Sequence, residues 1–132
     1  MGGFLQSFSA STPPVWSNRA LVSKVDRSTG LSLNWTGAGT VLIVGSSYDL
    51  PTDSSGLFVC RAPTGGLSFT VPPEILGLLP PSRVNRALTQ GYLMFVGVPS
   101  GFPATVANSS KFGLDFASIS YTLVTGQVVA FQ

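Results

Sequence analysis

Leu31-Ser32-Leu33-Asn34-Trp35-Thr36, then Gly37-Ala38-Gly39, then Thr40-Val41-Leu42-Ile43-Val44-Gly45-Ser46-Ser47, is the stretch that decides the fold class. Its first part alternates, with Leu31, Leu33 and Trp35 on one face and Ser32, Asn34 and Thr36 on the other. That period of two is the signature of a strand buried on one side. Val41 to Val44 is continuously apolar and rich in β-branched residues, which predicts a central strand covered on both faces. The Gly37-Ala38-Gly39 link is short enough to predict that the two strands are antiparallel neighbours in a hairpin with a three- or four-residue loop.

Strand and turn signals continue outward on both sides. Residues 1–14 are rich in Gly, Ser and Thr and end in Pro13-Pro14, which enforces extended backbone; they read as a linker or N-terminal edge segment, with Phe4, Leu5 and Phe8 able to pack on a sheet. Val15-Trp16 starts a short strand, Arg19 to Val25 a second edge piece, and Asp26 to Gly30 a polar turn. Gly45 to Gly56 collects turn formers and reads as the longest loop of the first half. Leu57 to Arg61 and Leu67 to Val71 are strands, joined through Pro63-Thr64-Gly65-Gly66 as a second hairpin. Pro72 to Pro80 carries the one helix, at about 73–79, with Pro at its start, Glu74 in its first turn and Pro80-Pro81 as its stop. Ser82 to Thr89 is mixed, Tyr92 to Val98 is an apolar strand, and Pro99 to Ser110 is a long loop. Lys111 to Phe116 and Ile119 to Leu123 are further strands, Thr125-Gly126 is a turn, and Gln127 to Phe131 closes the sheet. This pattern predicts an all-β chain: a two-sheet antiparallel, immunoglobulin-like sandwich over residues 15–132 with one short helical plug.

Composition narrows the class. The 132 residues suit one domain with a core of its own. Charged residues make up 9% of the chain, against about 25% in an average soluble domain, while 18 Ser and 11 Thr take their place as the polar surface. That substitution is typical of secreted β-proteins and of subunits that cover surface on assembly. The net charge of +2 comes from seven scattered basic residues, with Arg83 and Arg86 close together but no dense basic patch, so no nucleic-acid surface is expected. Cys60 has no partner for a disulfide and reads as a small core residue. Met1 to Ala10 lacks the basic and apolar regions of a signal peptide, and no apolar run approaches the length of a membrane span. The expectation is a secreted, extracellular domain whose export signal lies upstream.

Further tokens are spread along the chain: Trp16-Ser17-Asn18, Gly30 through Gly37, Val41 to Ser46, Phe58-Val59-Cys60, Phe69 through Leu76, Leu79-Pro80, Gly113-Leu114-Asp115, Tyr121 and the terminal Val-Val-Ala-Phe-Gln. On these the chain, over about residues 15–132, resembles an uncharacterised immunoglobulin-like β-sandwich domain found at the C-terminus of large secreted proteins of acidobacterial type. The resemblance implies an extracellular module beside other modules, and it brings no catalytic residues.

The chain has no histidine, which removes Ser–His and Cys–His nucleophile pairs and the commonest zinc ligand sets. Glu74 reads as a helix-start residue, and Asp26, Asp49, Asp53 and Asp115 as turn residues, so no carboxylate pair for hydrolysis is expected. No enzyme activity and no cofactor are expected. The best ligand-binding candidate is the loop carrying Tyr48, Asp49, Thr52 and Asp53, where Asp49 and Asp53 are weak candidates for calcium ligation. Trp16 and Trp35 read as core residues rather than sugar platforms. Asn34-Trp35-Thr36 and Asn108-Ser109-Ser110 match the glycosylation sequon. The leading expectation is a non-enzymatic structural or adhesion module of a secreted bacterial protein. The alternatives are a carbohydrate- or calcium-binding module using the loops around Asp49–Asp53 and Pro99–Asn108, and an assembly subunit that adds its N-terminal segment to a neighbour's sheet. A protein or glycan partner, or self-assembly, fits these readings.

Overall fold

The computed structural model describes residues 11–82, 90–102, 104–109 and 114–132, the last two segments by strand path alone over 104–109 and 114–119. In chain order the strands are β1 (Val15–Trp16), β2 (Lys24–Val25), β3 (Leu31–Thr36), β4 (Gly39–Asp49), β5 (Ser54–Arg61), β6 (Ser68–Val71), β7 (Gly91–Pro99), β8 (Ala104–Ser109), β9 (Leu114–Ile119), β10 (Leu123–Val128) and β11 (Ala130–Phe131). A 3-10 turn (Arg19–Leu21) follows β1, and α1 (Pro73–Leu76) follows β6. The chain is an all-β sandwich. One sheet has the order β1-β3-β6 and the other β10-β7-β4-β5, all antiparallel. β2 and β11 form a short parallel pair, and β8 and β9 an antiparallel one. Among the described residues no helix is long and apolar enough to cross a membrane. The readings of Phe4, Leu5 and Phe8, of Arg83 and Arg86, of Lys111 and of the Asn108-Ser109-Ser110 sequon's side chains lie outside the described residues.

The core follows from the alternation. β3 buries Leu31, Leu33 and Trp35 and exposes Ser32, Asn34 and Thr36. Facing it across the layer gap are Val41 and Ile43 of β4, Phe58 of β5, and Leu93 and Phe95 of β7, all buried. The Phe95 ring stacks on Trp16 at a centroid distance of 6.1 Å and meets Trp35 at 5.8 Å with the planes tilted by 52°. Trp16 and Trp35 are 5% and 4% exposed, so both are core. One end of the sandwich is closed by Leu76, Leu79, Val25, Val129 and Phe131, which places the Pro-rich segment where a plug was expected. The helix is shorter than the predicted 73–79. It is a single turn, because the next backbone bonds, Leu78 N to Ile75 O and Leu79 N to Leu76 O, are of the tighter three-residue kind.

Five connections differ from the sequence reading. β3 and β4 are not hairpin neighbours: β4 is flanked on both edges by β5 and β7, and the Gly37-Ala38-Gly39 link carries the chain from one sheet to the other. Gly39 has φ +148, and a Cβ there would sit 1.9 Å from the Val98 carbonyl oxygen, so the crossing demands glycine. β5 and β6 likewise lie in different sheets, and β6 returns to pair with β3. The true hairpin is β4–β5, paired in register from Leu42↔Arg61 to Asp49↔Ser54, which shrinks the expected Gly45–Gly56 loop to Leu50–Asp53. Pro99–Ser110 is not one loop, since it includes β8, and Thr125-Gly126 lies inside β10 instead of turning the chain. Val41 to Val44 is buried on one face only, its Leu42 and Val44 being half-buried.

Ser11 to Pro14 belong to the folded body. Ala38 N–H donates to the Thr12 carbonyl at 3.1 Å, and Pro14 is buried over Gly97, where a Cβ would lie 2.4 Å from the Pro14 carbonyl oxygen. Asn18 ties β1 to β3. Its Oδ1 accepts from Trp16 Nε1 and from the Asn34 N–H, both at 2.9 Å, and its Nδ2 donates to the Ser32 carbonyl at 3.1 Å. Replacing Phe95 by Ala opens a cavity beside the two indoles and should cost about 3–5 kcal/mol. Asn18→Ala, which strands the Trp16 Nε1–H, should cost about 1–2 kcal/mol. Urea unfolding checks both: the midpoint falls in that order with the slope unchanged.

Candidate functional site

The β4–β5 turn brings the four sequence-predicted residues together. Pairing of Asp49 with Ser54 leaves Leu50, Pro51, Thr52 and Asp53 to reverse the chain, and Asp53 N–H closes on the Leu50 carbonyl at 3.4 Å. Asp53 takes φ +51, a left-handed conformation that Asp tolerates better than most residues. Tyr48 Oη donates to Asp53 Oδ1 at 3.0 Å. Thr52 Oγ1 donates to Asp49 Oδ2 at 2.5 Å and lies 2.7 Å from Ser54 Oγ. Each carboxylate therefore has one oxygen engaged by a neighbouring hydroxyl, and the cluster is a turn tied to itself. Among the described residues no group of three or more His, Cys, Asp or Glu side chains converges.

The electrostatics are local. The hydrogen bond to Asp53, then burial and the Asp53 and Asp49 charges, raise the Tyr48 phenol above its ordinary value. The Ser28 hydroxyl, then the Ser28 N–H, hold the Asp26 carboxyl below its ordinary value in the turn before β3. Burial pushes the Cys60 thiol up, which makes it a weaker nucleophile, and its side chain packs on the core. Glu74 is exposed in the first turn of α1.

The two loop regions proposed to act together lie at opposite ends of the sandwich. β4 runs from Gly39, paired with Pro99, to Asp49, paired with Ser54. Its 11 residues separate those ends by roughly 35 Å. The Pro99 end holds a cleft of about 510 Å³ formed by three turns, Gly37–Thr40, Thr64–Leu67 and Pro99–Phe102, with no charged side chain among the described residues that line it.

The most distinctive surface includes the second face of Val41–Val44, which the apolar run predicts to be covered and which is only half-buried. The outward face of the β10-β7-β4-β5 sheet carries Leu57 and Val59 of β5, 68% and 59% exposed, and Val124 and Val128 of β10, 54% and 46% exposed. Between them stand Leu42 and Val44 of β4 and Met94 and Val96 of β7, half-buried. The signal was present in the continuous apolar runs Val41–Val44 and Tyr92–Val98, which supply apolar residues to both faces of a strand. A run of this kind does not state whether the second face is covered by the chain itself.

Set against family models, curated proteins and solved structures, the chain matches none.

Because the protonated phenol is favoured in the fold, the Tyr48–Asp53 bond contributes in full below the ordinary tyrosine pKa of about 10 and is lost as pH rises through the raised value. Asp53→Asn, which suits the same backbone conformation, should bring the Tyr48 titration back down. NMR of ring-labelled tyrosine reads the midpoint directly.

Proposed function

We propose that this chain is a non-enzymatic, immunoglobulin-like structural or adhesion module of a secreted bacterial protein, working by contact through the outward face of its four-stranded sheet. The observation that carries the reading is the contrast between the two outer faces. The β1-β3-β6 sheet presents Ser32, Asn34, Thr36, Ser68 and Thr70, with the Ser32 and Thr70 hydroxyls paired at 2.8 Å. The other sheet presents Leu57, Val59, Val124 and Val128. Surface hydroxyls are solvated as they stand, whereas a contiguous apolar sheet face marks a place where another molecule docks. The scarcity of charge, the hydroxyl-rich surface and the resemblance to secreted sandwich domains support the extracellular placement.

Assembly by strand addition has one observation in its favour. β5 is the last strand of its sheet, and an apolar groove of about 310 Å³ runs beside it between Phe58 and Cys60 on one wall and Ile75, Leu78 and Leu79 on the other. A strand edge left unpaired among the described residues can accept an added strand.

Displayed on the surface of a non-adherent bacterium, the chain should make the cells clump or hold to a coated surface, and Val59→Lys should abolish the effect. Cells that stay dispersed with the native sequence, or adhere equally with Val59→Lys, would rule out contact through this face.

A further inference from the structure

We propose that the outward face of the β10-β7-β4-β5 sheet is the interface of a symmetric homodimer, a second copy of this chain lying face to face on the first. The inference rests on the contact reading above and names the partner.

The register lays the face out in rows across the strands. One row is Arg61, Leu42, Val96 and Val124; the next is Val59, Val44, Met94 and Gly126; the third is Leu57, Ser46, Tyr92 and Val128. The gap at Gly126 is filled from its own sheet. A Cβ there would lie 1.7 Å from the Tyr92 hydroxyl, so the Tyr92 side chain crosses Gly126 and levels the face. A level, apolar sheet face packs against another such face about 10 Å away, the arrangement that already joins the two sheets of the sandwich.

Area and charge both favour a second copy. Leu57, Val59, Val124, Val128 and Tyr92 leave 36–68% of their surface open on one face, a continuous apolar area rather than the scattered single residues of an ordinary monomer surface. A stable pair needs about 800 Å² per partner, which a polar rim of Thr40, Tyr48, Ser55 and Arg61 completes. Arg61 is the charged side chain carried by these rows, at one end of β5, and Asp53 sits at the other end against Tyr48. A two-fold axis in the plane of the interface, crossing the strands between the Val59 and Leu57 rows, lays Val59 against Leu57 and Met94 against Tyr92. The same rotation sets each Arg61 over the other copy's Ser55 and Tyr48, within reach of its Asp53 carboxylate. The face is thus complementary to itself, as an isologous interface must be.

Sedimentation equilibrium of the full chain from about 1 to 200 µM tests this, with a micromolar dimer expected for an interface of this size. Val59→Lys and, on the opposite edge of the face, Val128→Lys should each weaken the dimer at least about tenfold. Ser68→Lys, on the polar sheet, should leave it unchanged. Arg61→Glu should weaken it and flatten its salt dependence. Circular dichroism melts confirm that the variants are folded. A native chain that stays monomeric at about 200 µM, or a dimer insensitive to both valine variants, overturns the proposal. So does a dimer lost only on removal of residues 1–10, which would assign association to the tail bearing Phe4 and Phe8. If the native chain is monomeric but adhesion of displaying cells still fails with Val59→Lys, self-pairing falls while the contact reading stands. If adhesion is also insensitive, both fall.

Discussion

The ring of Phe95 packed against both indoles of the Trp16–Trp35 cross-strand pair is the contact on which the rest depends. Two of these rings belong to β1 and β3 of the smaller sheet and the third to β7 of the larger, so the cluster joins the layers at their middle. Large aromatic side chains bury more apolar area than any other residue type, and their offset and tilted packing sets the spacing of the sheets. Asn18 serves the same contact, because its Oδ1 gives the Nε1–H of the buried Trp16 indole a part-buried acceptor. Around this cluster Leu33, Ile43, Leu93 and Val71 are fully shielded from solvent.

With the layers fixed, the connections follow from how many neighbours each strand can take. β4 and β7 are interior strands with partners on both edges, which leaves no edge for β3. The chain must then change sheets at Gly37–Gly39 and again at Ala62–Leu67. The glycines of the first crossing are set by close backbone approach, to Pro13 at Gly37 and to Val98 at Gly39. The edges are treated differently. On β10, Arg19 donates to the Gly126 carbonyl at 2.8 Å and Gln127 to the Val22 carbonyl, so the 3-10 segment covers it. Among the described residues no strand pairs with the outer edge of β5, and an apolar groove flanks it.

The two outer faces meet solvent on different terms. A chain with so few charges has hydroxyls as its main means of wetting a sheet, and it concentrates them on the β1-β3-β6 layer. The larger sheet shows aliphatic side chains on both faces, the pattern of a strand buried twice. Such a face is stable in isolation only at a cost in solubility, and contact with another surface removes that cost. The turn of Tyr48, Asp49, Thr52 and Asp53 closes one end of this sheet and spends its polar atoms on its own geometry.

Alternation in Leu31–Thr36 and in Ser68–Val71 was enough to determine that the chain is all-β and which side of those two strands is buried, Trp35 included, since a period of two is a property of the backbone alone. The Tyr48–Asp53 cluster was also legible, because its members are neighbours in a turn. What the tertiary structure decided was partnership: that β3 and β4 part to different sheets, that Asp49 and Pro99 stand at opposite ends, that β8 occupies a stretch read as loop, and that the second face of Val41–Val44 stays open. Strand pairing is a contest among distant segments for a limited number of edges, and burial of a second face depends on whether another layer reaches it. Neither quantity is carried by any local window of residues, so the same apolar run reads identically whether it is covered by its own chain or left for another.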